Sequence, residues 1–198
     1  MISKVSVTLT NRLIQNNIIK QEDFEIYRFG IENLIMKACH ILSYVILGII
    51  FQQLPELLVF LIAFIPLRES SGGYHAKTPL KCYILSCGTI ISLMCLLRFI
   101  PVKIMAFGIV PALVSSLILF FIVPVEAENK PLDETEITYY KRKASFIIMA
   151  ELVLVLVFRV LSWNVLSFIL ALSLTYELLI ALAGIYVKVA GSGYGPVK

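Results

Sequence analysis

An all-α, polytopic membrane protein of about six transmembrane helices is the fold class this sequence predicts, and three observations carry it. Of its 198 residues, 59% are hydrophobic and 15% charged, with a mean hydropathy of +0.91. A soluble domain carries roughly 45–50% apolar and about 25% charged residues, and a small fold leaves too much surface wet to hide the excess. The apolar residues fall into six runs, near 33–51, 54–67, 80–99, 103–125, 144–161 and 165–187. Third, the basic residues separate onto one side of those runs. The composition also excludes disorder, which needs low hydrophobicity and high charge. A net charge of +4 is too small to imply a nucleic-acid partner.

The first element precedes the apolar runs. Residues 1–30 hold no secretory signal, but Ile2, Val5, Leu9 and Leu13 recur at helical spacing. That stripe predicts an amphipathic helix. It either packs on the rest of the chain or lies in the membrane interface, with basic residues toward headgroups. A helix needs about 20 residues to cross the hydrocarbon layer, and five of the six runs come close. The second, 54–67, has fourteen residues and includes Pro55 and Glu56. It either crosses a locally thinned bilayer or is re-entrant.

Six spans with both termini on one side place Lys4, Arg12, Lys20, Arg28, Arg68, Lys77, Lys81, Lys130, Lys141, Arg142, Lys143, Lys188 and Lys198 together. The other side keeps Arg98, Lys103 and Arg159. Such a bias makes the basic side cytoplasmic, so the loop 68–79 faces the cytoplasm. No internal repeat relates the halves, and 126–143 is the one long polar connection, read as a solvated link. The chain therefore divides into an interfacial segment (1–30), a membrane domain (31–190) and a flexible tail (191–198), native or an expression remnant.

Candidate chemistry concentrates in the loop before the third run. Cys39, Cys82, Cys87 and Cys95 show no zinc-knuckle or redox spacing, so neither metal nor cofactor is expected. Three of them read as small packed hydrophobes. Cys82 differs, because Thr78-Pro79 reads as an N-cap and first helical position. Cys82 then falls in the first turn, where the positive end of the helix favours a thiolate, with Arg68, Lys77 and Lys81 adding positive field. His75 stands seven residues earlier, and Gly72-Gly73 lets the loop fold back so that an imidazole meets the sulfur as base and then acid. Residue chemistry leaves a second reading open: an ordinary polar loop, with Cys82 a packed thiol and His75 on the surface. His40 reads as a core residue bonded to another helix. Glu151 and Glu177 lie inside the last two runs. An intramembrane carboxylate is expensive, and the two read either as helix–helix glue or as the lining of a substrate cavity.

Taken together, these residues resemble the accessory gene regulator B (AgrB) family of membrane cysteine endopeptidases. The family pattern stands here as Arg68, Gly72-Gly73, His75-Ala76, Thr78 and Cys82, with every spacing kept. Tyr27-x-x-Gly30-x-Glu32 before the first run resembles a further family signature, and the polar loop from Pro124 through Asn129-Lys130-Pro131-Leu132 to Lys141-Arg142-Lys143 another. The resemblance implies Cys82 as nucleophile, His75 as its base, and Arg68, Gly72 and Gly73 as supporting positions. It implies a bacterial cell-membrane enzyme acting on an AgrD-like precursor peptide with an amphipathic N-terminus and an acidic tail. Tail removal through an acyl-thioester and closure of a thiolactone or lactone ring would yield a quorum-sensing intermediate. A small peptide transporter working through Glu151 and Glu177 is the alternative. Membrane lipids are expected partners, and Ala181, Ala183 and Gly184 suit a close-packed homodimer.

Overall fold

The computed structural model describes residues 2–74, 76, 78–126 and 133–192. They form α1 (Ile2–Gln15), α2 (Phe24–Ile50), α3 (Leu54–Ser71), α4 (Pro79–Phe99), α5 (Val102–Met105), α6 (Ile109–Ile122), α7 (Glu134–Val160) and α8 (Asn164–Ser192). Short 3-10 turns occupy Gln21–Asp23 and Ala106–Gly108. Among the described residues there is no strand, only an isolated parallel bridge between Gly72 and Val125. His75, Lys77, part of the polar connection (127–132) and the end of the tail (193–198) lie outside the described residues.

Among the described residues, four stretches are long and apolar enough to cross a membrane: Gln21–Ile50, Pro79–Phe99, Val102–Ile122 and Asn164–Ala190. The runs 54–67 and 144–161 lie in α3 and α7, which do not meet that standard. α3 carries Glu56, Arg68 and Glu69, and α7 carries Glu151, Arg159 and the basic triplet Lys141-Arg142-Lys143. α3 lies against α7 and α8, and α7 against α6 and α8.

Helices also overrun the apolar runs. α2 begins at Phe24, and α7 begins at Glu134, so 134–143 is helix and not a solvated link. The reason is a capping box. The Asp133 carboxylate accepts from the Glu136 N–H at 2.7 Å, while the Glu136 carboxylate accepts from the Asp133 N–H at 3.3 Å. The Thr135 hydroxyl and that backbone N–H hold the Asp133 carboxyl below the usual carboxylate range.

Two cores set the geometry of the site. In the first, Leu67 of α3, Leu119 of α6, Ile148 and Val155 of α7 and Leu174 of α8 are sealed from solvent. The second joins Leu57 and Phe60 of α3 to Leu93 and Met94 of α4 and Ile169 of α8. This core grips α4 by its C-terminal half, and Ser92 pins the same region to Tyr176 of α8 through hydroxyls 2.6 Å apart. The N-terminal half of α4 is thereby free to stand off from α3 and α8.

α1 packs on α2, but not through the stripe that marks it in the sequence. Val5 and Leu9 are exposed, while Ser6 and Thr10 are fully buried. Both hydroxyls donate back to carbonyls of their own helix, Ser6 to Ser3 at 2.9 Å and Thr10 to Ser6 at 2.8 Å. Two small, internally satisfied side chains let the backbones approach closely, which leaves the apolar side of α1 facing outward.

Candidate active site

Thr78 caps α4 by accepting from the Lys81 N–H at 3.4 Å, and Pro79 occupies the first helical position. Cys82 follows in that first turn, half-buried, its own N–H bonded to the Thr78 carbonyl at 3.1 Å. Because α4 stands off here, Cys82 borders a cavity of about 810 Å³, within the ~300–1,000 Å³ typical of ligand sites. α3 contributes Phe64, Ile65 and Arg68 to its walls, and α8 contributes Tyr176, Leu179, Ala183 and Tyr186. The cavity is mostly apolar, with a few polar groups placed around it.

Behind the cavity the chain leaving α3 is held on three sides. Gly72 and Gly73 adopt φ of 71° and 107°, values that favour glycine. The Gly73 N–H donates to the Val125 carbonyl at 3.0 Å, Val125 N–H to Ser71 at 2.8 Å, and Tyr74 N–H to Ile180 of α8 at 3.0 Å. A Cβ on Gly72 would land on the Val125 carbonyl oxygen, and one on Gly73 would meet the Ile180 carbonyl oxygen at 3.0 Å. From α3, Arg68 donates to the carbonyls of Gly72 and, at 2.7 Å, Tyr74.

Arg68 reaches Glu177 of α8 at 3.9 Å, an ion pair without a hydrogen bond. Glu177 is fully buried, and Glu151 is 4% exposed. Neither borders the cavity that Cys82 borders. Ser173 stands close to Glu151, short of a hydrogen bond of ordinary geometry. Both carboxylates thus lie outside the cavity wall, and Arg68, which does border the cavity, is the group that Glu177 faces.

Several cavity residues escaped the sequence reading. Ser86 and Thr89 border the cavity with Cys82, and Tyr44 of α2 closes its flank. The signal was available, since Cys82, Ser86 and Thr89 are spaced by four and three and so share one face of an otherwise apolar helix. His40 departs from expectation. Its Nδ1 donates to Met36 in its own helix at 2.8 Å, and its ring packs on Tyr44 and Tyr83 instead of bonding to another helix.

The family model described as Accessory gene regulator B matches residues 6–183. The chain belongs to the AgrB family. Two curated relatives from Clostridium perfringens are similar to it. "Putative AgrB-like protein 2" of strain 13 / Type A is 31% identical over 141 residues, 67% of this chain and 64% of that protein. "Putative AgrB-like protein" of strain SM101 / Type A is 27% identical over 178 residues, 83% of this chain and 82% of that protein. The chain thus spans just under two thirds of the first relative and most of the second. No solved structure matches it. With four helices apolar enough to span, this AgrB-family chain is a membrane protein.

Within the AgrB-family chain, the small residues of α8 have an internal use. A Cβ on Gly184 would come within 2.6 Å of the Tyr74 nitrogen and 2.7 Å of the Gly73 carbonyl carbon, and Ala181 is fully buried. Gly184 and Ala181 make room for the Gly73-Tyr74 segment. Gly184→Ala is expected to displace that segment. An overpacking cost of about 1–3 kcal/mol lowers the melting temperature in detergent, while Gly88→Ala, in the interior of α4 with open space around it, holds or raises it.

Proposed function

We propose that this protein is a membrane cysteine endopeptidase that removes the C-terminal tail of an AgrD-like precursor and releases a cyclic peptide. The observation that carries the reading is the position of Cys82, in the first turn of α4 and on the wall of a largely apolar cavity. A nucleophile needs access to substrate and an environment that favours its ionised form, and a helix N-terminus contributes to the second.

In the reaction proposed, the Cys82 thiolate attacks the carbonyl carbon at the tail junction. The C–N bond breaks, His75 gives its proton to the departing amine, and the core peptide remains as a thioester on Cys82. A Cys or Ser side chain of that peptide, deprotonated by His75, then attacks the thioester carbonyl. Its S–C or O–C bond forms as the bond to Cys82 breaks, restoring the thiolate. Thiolactone closure exchanges one thioester for another, so little free energy separates reactant from product. The apolar walls formed by Phe64, Ile65 and Leu179 exclude water that would otherwise hydrolyse the intermediate.

The amphipathic part of the precursor lies along the membrane in this reading, and its acidic tail meets the basic side of the protein. That side is cytoplasmic, with both termini on it and six crossings between them. α3 and α7 serve as the two crossings shielded by other helices, and residues 31–190 act as one membrane domain behind the interfacial segment 1–30. Glu151 and Glu177 lie away from the cavity, so its walls lend no support to transport through them. Co-expression with a small amphipathic peptide encoded beside it tests the function by mass. Loss of the tail with the wild-type chain, and an intact peptide with His75→Ala, is the expected result. An intact cognate peptide with wild-type protein contradicts the reading.

A further inference from the structure

Resting on that reading, we propose that Glu177 is a positioning residue: it anchors Arg68 from behind, so that the guanidinium clasps the carbonyls of Gly72 and Tyr74 and fixes the segment leading into His75. Arg68 is the pivot. It lies in the last turn of α3, borders the cavity, and directs one guanidinium nitrogen at Gly72 and the other at Tyr74. Glu177 approaches from α8 to 3.9 Å of the nitrogen that holds Gly72.

The burial of Glu177 is the telling feature. Its side chain has no exposure, and neither carboxylate oxygen has a hydrogen-bond partner among the described residues. Taking a carboxylate out of water is unfavourable, and a buried ion pair is often no better for stability than apolar packing. Stability alone is therefore a poor account of why α8 carries an acid here. What Glu177 supplies is a fixed negative charge at a point that Arg68 must face. Arg68 has two carbonyls to hold and a cavity open on its other side, and an arginine without a counter-charge is free to swing away from those carbonyls.

α8 enters the same arrangement twice more. Ile180 accepts from the Tyr74 N–H, and Gly184 leaves room for the Gly73-Tyr74 backbone. Residues 177, 180 and 184 are spaced by three and four, so one face of α8 presents the counter-charge, the acceptor and the gap. The Gly73-Tyr74 segment is thus held by α8, and Glu177 is the member that acts through Arg68.

Two readouts test this. In the peptide-processing assay, Glu177→Gln is expected to lower kcat about tenfold or more, in line with removing one partner of a buried ion pair, with KM held within about twofold. Glu177→Asp restores most of the rate, and the Arg68→Gln, Glu177→Gln double variant is no slower than Arg68→Gln alone, as expected of one shared pathway. Without any peptide, amide hydrogen exchange at Gly73 and Tyr74 is expected to quicken about tenfold or more in Glu177→Gln but not in Glu177→Asp. Unchanged exchange in a folded Glu177→Gln protein, or additive losses in the double variant, overturns the proposal. A wild-type chain that processes no peptide while its exchange still depends on Glu177 overturns the endopeptidase reading and leaves the positioning role standing. Where Glu177→Gln does not accumulate, Arg68→Lys provides the exchange test: a lysine cannot span both carbonyls, and protection equal to wild type overturns the clasp.

Discussion

Cys82→Ala is expected to abolish tail removal, with a rate loss on the order of 10⁶-fold where the chemical step is measured, as when a covalent nucleophile is deleted. The fold should survive, because Cys82 is half-buried in the first turn of α4 and outside both cores. A change at such a site typically alters stability by about 1 kcal/mol or less. Cys82→Ser is expected to be similarly inactive: a hydroxyl is far less ionised than a thiol near neutral pH, and thioester chemistry is lost. The measurement is the mass of the co-expressed peptide at matched levels of membrane-inserted protein. Tail removal at wild-type rate by either variant contradicts the assignment.

Ala183→Trp is expected to block processing without touching the nucleophile. Ala183 is exposed and borders the cavity from α8, so the indole enters space that the peptide needs. Overpacking of about 1–3 kcal/mol corresponds to roughly 5- to 150-fold weaker productive binding at tenfold per 1.4 kcal/mol. The loss should appear in KM, whereas Cys82→Ala acts on kcat. A small alkylating reagent should still modify Cys82 in full, since the obstruction excludes a peptide and not a two-carbon reagent. Normal processing by Ala183→Trp means that the peptide docks elsewhere.

Much of the site was legible because its local signals do not depend on tertiary packing. Thr78-Pro79 fixes the start of α4 in sequence and in structure, since a cap and a proline act within one turn. The adjacent glycines marked a backbone that needs unusual angles, and both have positive φ. What escaped was relational. The apolar stripe of α1 left a packing face and an interfacial face equally open, and it is Ser6 and Thr10 that are buried, because close approach between helices selects for small size as well as apolarity. Asp133 and Glu136 formed a readable capping box, but hydropathy alone dates a helix from its apolar part and so passed over 134–143. Glu177 was visible as an unusual intramembrane acid. That its partner is Arg68, and that both stand behind the Gly72–Tyr74 segment, depends on α3 and α8 meeting in space.

The direct test of the central claim is to trap the covalent intermediate. Wild-type protein mixed with precursor peptide and quenched in acid should gain the mass of the tail-less peptide on the tryptic or chymotryptic fragment that holds Cys82, and neutral hydroxylamine should remove it. His75→Ala should show no adduct. An adduct mapping to Cys39, Cys87 or Cys95, or rapid tail loss with Cys82 unmodified at every quench time and with Cys82→Ala fully active, would contradict the account.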